Sequence, residues 1–169
     1  IEGYPDARFM KLIAELKPDQ VTLVPDPPEV LTSNTGWDTV KNKDFLSETI
    51  QELRLSGARI SVFCNPEISM VEGAAQIEAN RIELYTGPYA QDFVQNPAQA
   101  LRSFVEAADV AKKIGLGVNA GHDLDLQNLK YLKNGIPYLA EVSIGHALFC
   151  DALYYGIENT IQMYKRQLQ

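Results

Sequence analysis

RISVFCNPEISMVEGAAQIEANRIELYTG, residues 59–87, decides the fold. Two short apolar runs, residues 59–63 and 81–84, flank an alanine-rich stretch, residues 68–78, of helical length. Their length and their bounding turns mark the two runs as strands. A strand, a helix and a second strand in that order give a parallel pair joined by a right-handed crossover. The same rhythm continues outward in both directions. Toward the N-terminus, Ile1-Glu2 is the tail of a strand. Residues 6–16 place Ala7, Met10, Leu12, Ile13 and Leu16 at helical spacing after Pro5. Residues 20–24 form a strand, and residues 26–38 a long polar loop with Pro27, Pro28, Gly36 and the single tryptophan, Trp37. Residues 41–55 return to helical period and stop at Ser56-Gly57. Toward the C-terminus, residues 98–113 are a helix closed by Ile114-Gly115. Residues 117–120 are a strand, 125–132 a short helix, 138–144 a strand, and 145–168 helical with a break near Tyr155-Gly156.

Strands that alternate with helices imply a parallel sheet. Two architectures fit: an open doubly wound sheet, and part of a (β/α)8 barrel of the TIM type. No G-x-G-x-x-G follows a strand, which weakens the dinucleotide-binding version of the first. A full barrel takes about 250 residues. The expectation is therefore one domain over residues 1–169, about the C-terminal two-thirds of a barrel, with the first two strands and helices absent. The first residue is not Met, and the chain is expected to be one ordered segment of a longer polypeptide.

Composition narrows the class. The net charge is −7, and an acidic surface repels nucleic acid, so general nucleic-acid binding is not expected. An anionic metabolite stays possible, because a few backbone N–H groups hold a phosphate in a protein of any net charge. The apolar runs are strand-sized, so no membrane span is expected, and Ile1-Glu2-Gly3 does not start a signal peptide. Two cysteines, Cys64 and Cys150, are too few for a disulfide scaffold or a cysteine zinc site. They are expected to be free buried thiols of a cytoplasmic protein.

In parallel α/β folds reactive groups gather at the C-terminal ends of strands. The only two histidines stand there, in Asn119-Ala120-Gly121-His122-Asp123 and in Ile144-Gly145-His146-Ala147. A glycine lets backbone approach a ligand, and the start of the next helix offers unpaired N–H groups. In barrels the loops after the last two strands often hold phosphate. The plain alternative is two ordinary turns. Glu83, in Arg81-Ile82-Glu83-Leu84, either points inward among apolar residues, functional or ion-paired, or stays solvated outside. Glu2 ends the strand stub, where a carboxylate is ordinarily solvated. Thr32-Ser33-Asn34 lies in the long loop, which has the length of a lid.

Three stretches together carry a resemblance: Val118-Asn119-Ala120-Gly121-His122, Ser143-Ile144-Gly145-His146-Ala147, and Glu83-Leu84-Tyr85-Thr86-Gly87 with Tyr89-Ala90. With Leu23-Val24-Pro25 and Gly36-Trp37-Asp38, they make the chain resemble the pyridoxine 5′-phosphate synthase family of vitamin B6 biosynthesis from Ile1 to about Arg166. The resemblance implies a (β/α)8 barrel that condenses 1-deoxy-D-xylulose 5-phosphate with 3-amino-2-oxopropyl phosphate, by general acid/base catalysis, to pyridoxine 5′-phosphate, phosphate and water. It implies no metal and no organic cofactor, two small phosphorylated substrates as partners, and a homo-oligomer, an octamer. By position it implies catalytic roles for Glu2, Glu83 and His122, phosphate binding by Gly121, Asp123, Gly145 and His146, and a lid contact from Thr32. The family carries glycine where this chain has Asp123, so that carboxylate is expected to turn away from phosphate. The lid also lacks the family's basic residues. A non-catalytic phosphate-binding barrel segment and another phosphosugar barrel enzyme are the alternative readings.

Overall fold

A computed structural model describes residues 1–27 and 29–169. Six strands form one parallel sheet in chain order: β1 (Glu2–Gly3), β2 (Gln20–Leu23), β3 (Arg59–Cys64), β4 (Arg81–Tyr85), β5 (Gly117–Gly121) and β6 (Glu141–Ser143). Helices join them: α1 (Ala7–Leu16), α2 (Lys43–Arg54), α3 (Ile68–Gln76), α4 (Gly87–Phe93), α5 (Pro97–Lys113) and α6 (Leu129–Gly135). Two more, α7 (His146–Tyr155) and α8 (Ile157–Gln167), end the chain.

Side chains alternate across each strand, and the two faces differ sharply. Val21, Leu23, Ile60, Val62, Cys64, Ile82, Leu84, Val118 and Ala120 are buried in the core with the helices. Phe104, Ala107, Ala108 and Ala111 of α5 join them, and the three small alanines let this helix lie close to the sheet. The opposite face carries Gln20, Thr22, Arg59, Ser61, Arg81, Glu83, Asn119, Glu141 and Ser143. Registers Thr22↔Ser61, Ser61↔Arg81 and Asn119↔Glu141 set these residues side by side.

That polar face is concave. Gln20 Nε2 donates to Glu141 Oε2 at 2.9 Å, and Arg59 Nη2 to Glu141 Oε1 at 2.6 Å. Strands β2 and β6 stand four places apart in the sheet, which would separate them by about 19 Å if it were flat. Direct contact requires the sheet to curl into a trough. A doubly wound sheet reverses its strand order at a switch point; this order never reverses, so the doubly wound alternative falls. The six strands make a half-barrel, and the expected eightfold barrel is seen only to that extent.

The expected elements appear with three shifts. The helix α4 had no counterpart in the sequence reading. Its seven residues open on Gly87-Pro88, a pair that marks a turn but also suits a first helical turn. The helix expected at 125–132 starts only at Leu129, because Asp125 Oδ1 accepts from the amides of Gln127 and Asn128 and holds those residues in a turn. The strand expected at 138–144 shortens to Glu141–Ser143. Before it, Lys133 Nζ donates to the carbonyls of Pro137 and Leu139 and keeps them out of the ladder. The break at Gly156 is present, with φ +78.

Both cysteines are free, but only Cys64 is buried, where burial pushes its thiol up to about 12. Cys150 is exposed on α7, against the expectation of two buried thiols. Among the described residues no helix is long and apolar enough to cross a membrane.

Candidate active site

The C-terminal ends of the strands open into a cavity of about 960 Å³. Glu2, Thr32, Glu83, His122, Asp123, Gly145 and His146 all line it. Seven of the eight residues singled out from the sequence therefore meet in one place. The eighth, Gly121, is buried beneath the cavity rather than on its wall.

Glu83 stands at the centre. It is 2% exposed and faces hydroxyls rather than the apolar residues expected around it. Thr22 Oγ1 approaches Glu83 Oε2 at 3.5 Å, the long limit of a hydrogen bond. Burial first, and then the neighbouring Glu2 charge, raise its carboxyl to about 7 against the pull of hydrogen bonds from Ser143 and Thr22. Gly121 makes room for it. A Cβ at Gly121 would lie 2.2 Å from Glu83 Oε1, far inside van der Waals contact.

Glu2 is the first residue of the two-residue β1 and remains open to solvent as a residue. Its carboxyl is nonetheless crowded enough by the cavity wall to sit above the ordinary carboxylate range. His122 lowers it in part, and Asp26 raises it. Asp26 carried no expectation from the sequence, although it stands three residues past the β2 end, where site residues collect.

His122 occupies an unusual backbone conformation. It has φ +88 and Asp123 φ +56, two consecutive non-glycine residues in the left-handed region. The imidazole packs edge-on against Tyr85, with ring centroids 5.1 Å apart. Its Nε2 and Thr32 Oγ1 share a 2.9 Å hydrogen bond, so the long loop reaches over the cavity to the histidine. On the other side Asp123 Oδ2 sits 3.0 Å from Nδ1 without hydrogen-bond alignment. The Asp123 side chain thus turns onto His122 rather than away from the site.

The second Gly-His loop is built differently. Gly145 has φ −102, and nothing lies within 4 Å of where its Cβ would stand. His146 begins α7, whose first turn has no side-chain cap. Its leading N–H groups are unpaired by side chains and face the cavity with the positive end of the helix dipole. One lysine or arginine lines the cavity among the described residues, Arg8 of α1.

Taken together, a curled parallel sheet, two raised carboxyls, a histidine within reach of a loop hydroxyl, and an open helix N-terminus meet in one cavity of a half-barrel. The comparisons with known proteins agree with that class. A family model described as "Pyridoxal phosphate biosynthesis protein PdxJ" matches residues 1–169. The chain is 58% identical over 169 residues to the pyridoxine 5′-phosphate synthase of Cytophaga hutchinsonii, covering all of this chain and 71% of that protein. It is 55% identical, with the same coverage, to the pyridoxine 5′-phosphate synthase of Bacteroides fragilis (strain YCH46). The crystal structure of the Amycolatopsis orientalis BexX/CysO complex superimposes with a TM-score of 0.59 at 19% identity, over 96% of this chain and 60% of that one, a likeness of fold alone. The chain belongs to the PdxJ family, an enzyme family of vitamin B6 biosynthesis.

Proposed function

We propose that the chain carries the acid/base machinery of a pyridoxine 5′-phosphate synthase that condenses 1-deoxy-D-xylulose 5-phosphate with 3-amino-2-oxopropyl phosphate. The products are pyridoxine 5′-phosphate, inorganic phosphate and water. The observation that carries the reading is Glu83: a buried carboxyl raised to about 7, in the same cavity as His122 and Glu2. Imine formation, loss of phosphate, ring closure and dehydration are a series of proton transfers. Each needs a group that takes and gives a proton near neutral pH. A carboxyl near 7 does this, and so does an imidazole. On this reading Glu2 and His122 exchange protons with the substrates, and Glu83 supplies or withdraws charge below them. The amides at the start of α7, with Gly145 and His146, hold a phosphate; the Asp123 amide borders the same space. Thr32 brings the loop over the site and excludes water from reactive intermediates. The exposed apolar side chains of α7, Phe149, Leu153 and Tyr154, support a covered surface there in a cytoplasmic homo-oligomer.

The test is Glu2→Gln in the working protein, with both phosphorylated substrates supplied and the pyridoxine product followed by absorbance. Product formation is expected to disappear while phosphate binding persists. Unchanged turnover would remove Glu2 from the chemistry and favour a phosphate-binding segment without catalysis of its own.

A further inference from the structure

We infer that Thr86 is a positioning residue for His122, acting through the backbone of the left-handed turn. Thr86 follows β4 and is fully buried. Its Oγ1 lies 2.7 Å from the Gly121 carbonyl and 2.5 Å from the His122 carbonyl, so one hydroxyl proton serves both. Its own amide also donates to the Gly121 carbonyl, at 2.9 Å. From the far side Asn128, itself buried, donates through Nδ2 to the Asp123 carbonyl at 3.1 Å. Residues 121–123 are thus gripped at three successive carbonyls by two buried side chains.

The grip has a reason. Two adjacent non-glycine residues with positive φ relax to extended or helical backbone unless their surroundings hold them. Relaxation at His122 would swing the imidazole off Tyr85 and away from Thr32. It would also carry the Asp123 carboxylate away from Nδ1. Thr86 touches neither the ring nor the cavity, so its effect passes entirely through the carbonyls it binds. A threonine is suited to the place: the hydroxyl donates, and the methyl fills buried space beside β4.

This inference rests on the catalytic reading of His122, and the experiment separates the two. Thr86→Val keeps the shape and removes the donor; Thr86→Ser keeps the donor. In the working protein, Thr86→Val is expected to lower kcat by about 10- to 100-fold with KM changed less than about threefold. Thr86→Ser should stay within about threefold of the parent. The His122 ring 15N resonances, picked out by their loss in His122→Gln, should shift in Thr86→Val and return in Thr86→Ser. Parental turnover and resonances in a folded Thr86→Val protein would overturn the inference, as would a serine variant as impaired as the valine one. If Thr86→Val does not fold, Thr86→Cys, with a poor donor in the serine shape, takes its place under the same criteria. If the parent makes no pyridoxine 5′-phosphate, the functional reading fails, and the resonances alone still decide whether Thr86 sets the ring.

Discussion

The two Gly-His loops share a dipeptide and little else. Gly121-His122 is crowded and strained: the glycine abuts Glu83, the histidine has φ +88, and buried side chains hold the turn. Gly145-His146 is open: no atom crowds the glycine, its φ is negative, and the histidine starts an uncapped helix. The first loop fixes a side chain in space. The second leaves backbone amides free. A motif read from sequence therefore names a location, while crowding and backbone conformation decide whether its side chain or its amides act.

The sharpest challenge to this contrast is to remove each imidazole. His122→Gln is expected to lower kcat by about a thousandfold, roughly 4 kcal/mol of transition-state stabilisation. His146→Gln should act mainly on KM for a phosphorylated substrate, with kcat within about tenfold. Steady-state kinetics with each substrate varied in turn checks this, and equal losses of kcat would erase the distinction.

Next comes the pH dependence of stability beside the crowded loop. Glu83 holds its proton more tightly folded, at about 7, than an ordinary carboxyl at 4.5. Its contribution is complete below about pH 4.5 and is lost as the pH rises toward 7, amounting to about 3 kcal/mol. Glu83→Gln has no such proton to lose. Its stability relative to the parent should climb by about that amount between roughly pH 4 and pH 8, read from urea midpoints. Parallel curves would mean that Glu83 is not held protonated.

The glycines give the smaller effects. Gly121→Ala forces Glu83 or the β5 end to move and should lower turnover by about 30-fold, near 2 kcal/mol. Gly145→Ala meets open space and should change the thermal midpoint by less than about 2 °C. A turnover loss in Gly145→Ala as large as the roughly 30-fold expected of Gly121→Ala would show that the second loop is as tightly packed as the first once ligand is bound.

The alternation of strand and helix was legible because β3, α3 and β4 are each short, regular and bounded by turn residues. The cavity membership of Glu2, Thr32, Glu83, His122, Asp123, Gly145 and His146 was legible too, since strand C-termini collect reactive groups in this architecture. What surrounds them was not. The sequence left Glu83 either inward among apolar residues or solvated outside, and Ile82 and Leu84 flank it. In a strand those two point to the other face, and Arg59-Ser61 beside Arg81-Glu83 already marks the concave face as polar. The hold of Thr86 on the His122 turn was invisible because its partners lie 35 and 36 residues away. The Thr32–His122 contact spans 90 residues, and no local pattern encodes such a distance. Asp123 misled through its charge, when what mattered was the left-handed turn that aims it at a neighbouring ring.

The contacts of Glu141 deserve a last consequence. Arg59 and Arg81, from different strands, converge on this one carboxylate, and Gln20 and Asn119 bind it as well. All five stand toward the N-terminal ends of their strands or, for Asn119, mid-strand, away from the cavity. The molecule is cinched at its base like a purse. Each ion pair is partly solvated, so ionic strength slackens the cord. The cord ties β2 to β6 through five side chains, none of which lines the cavity.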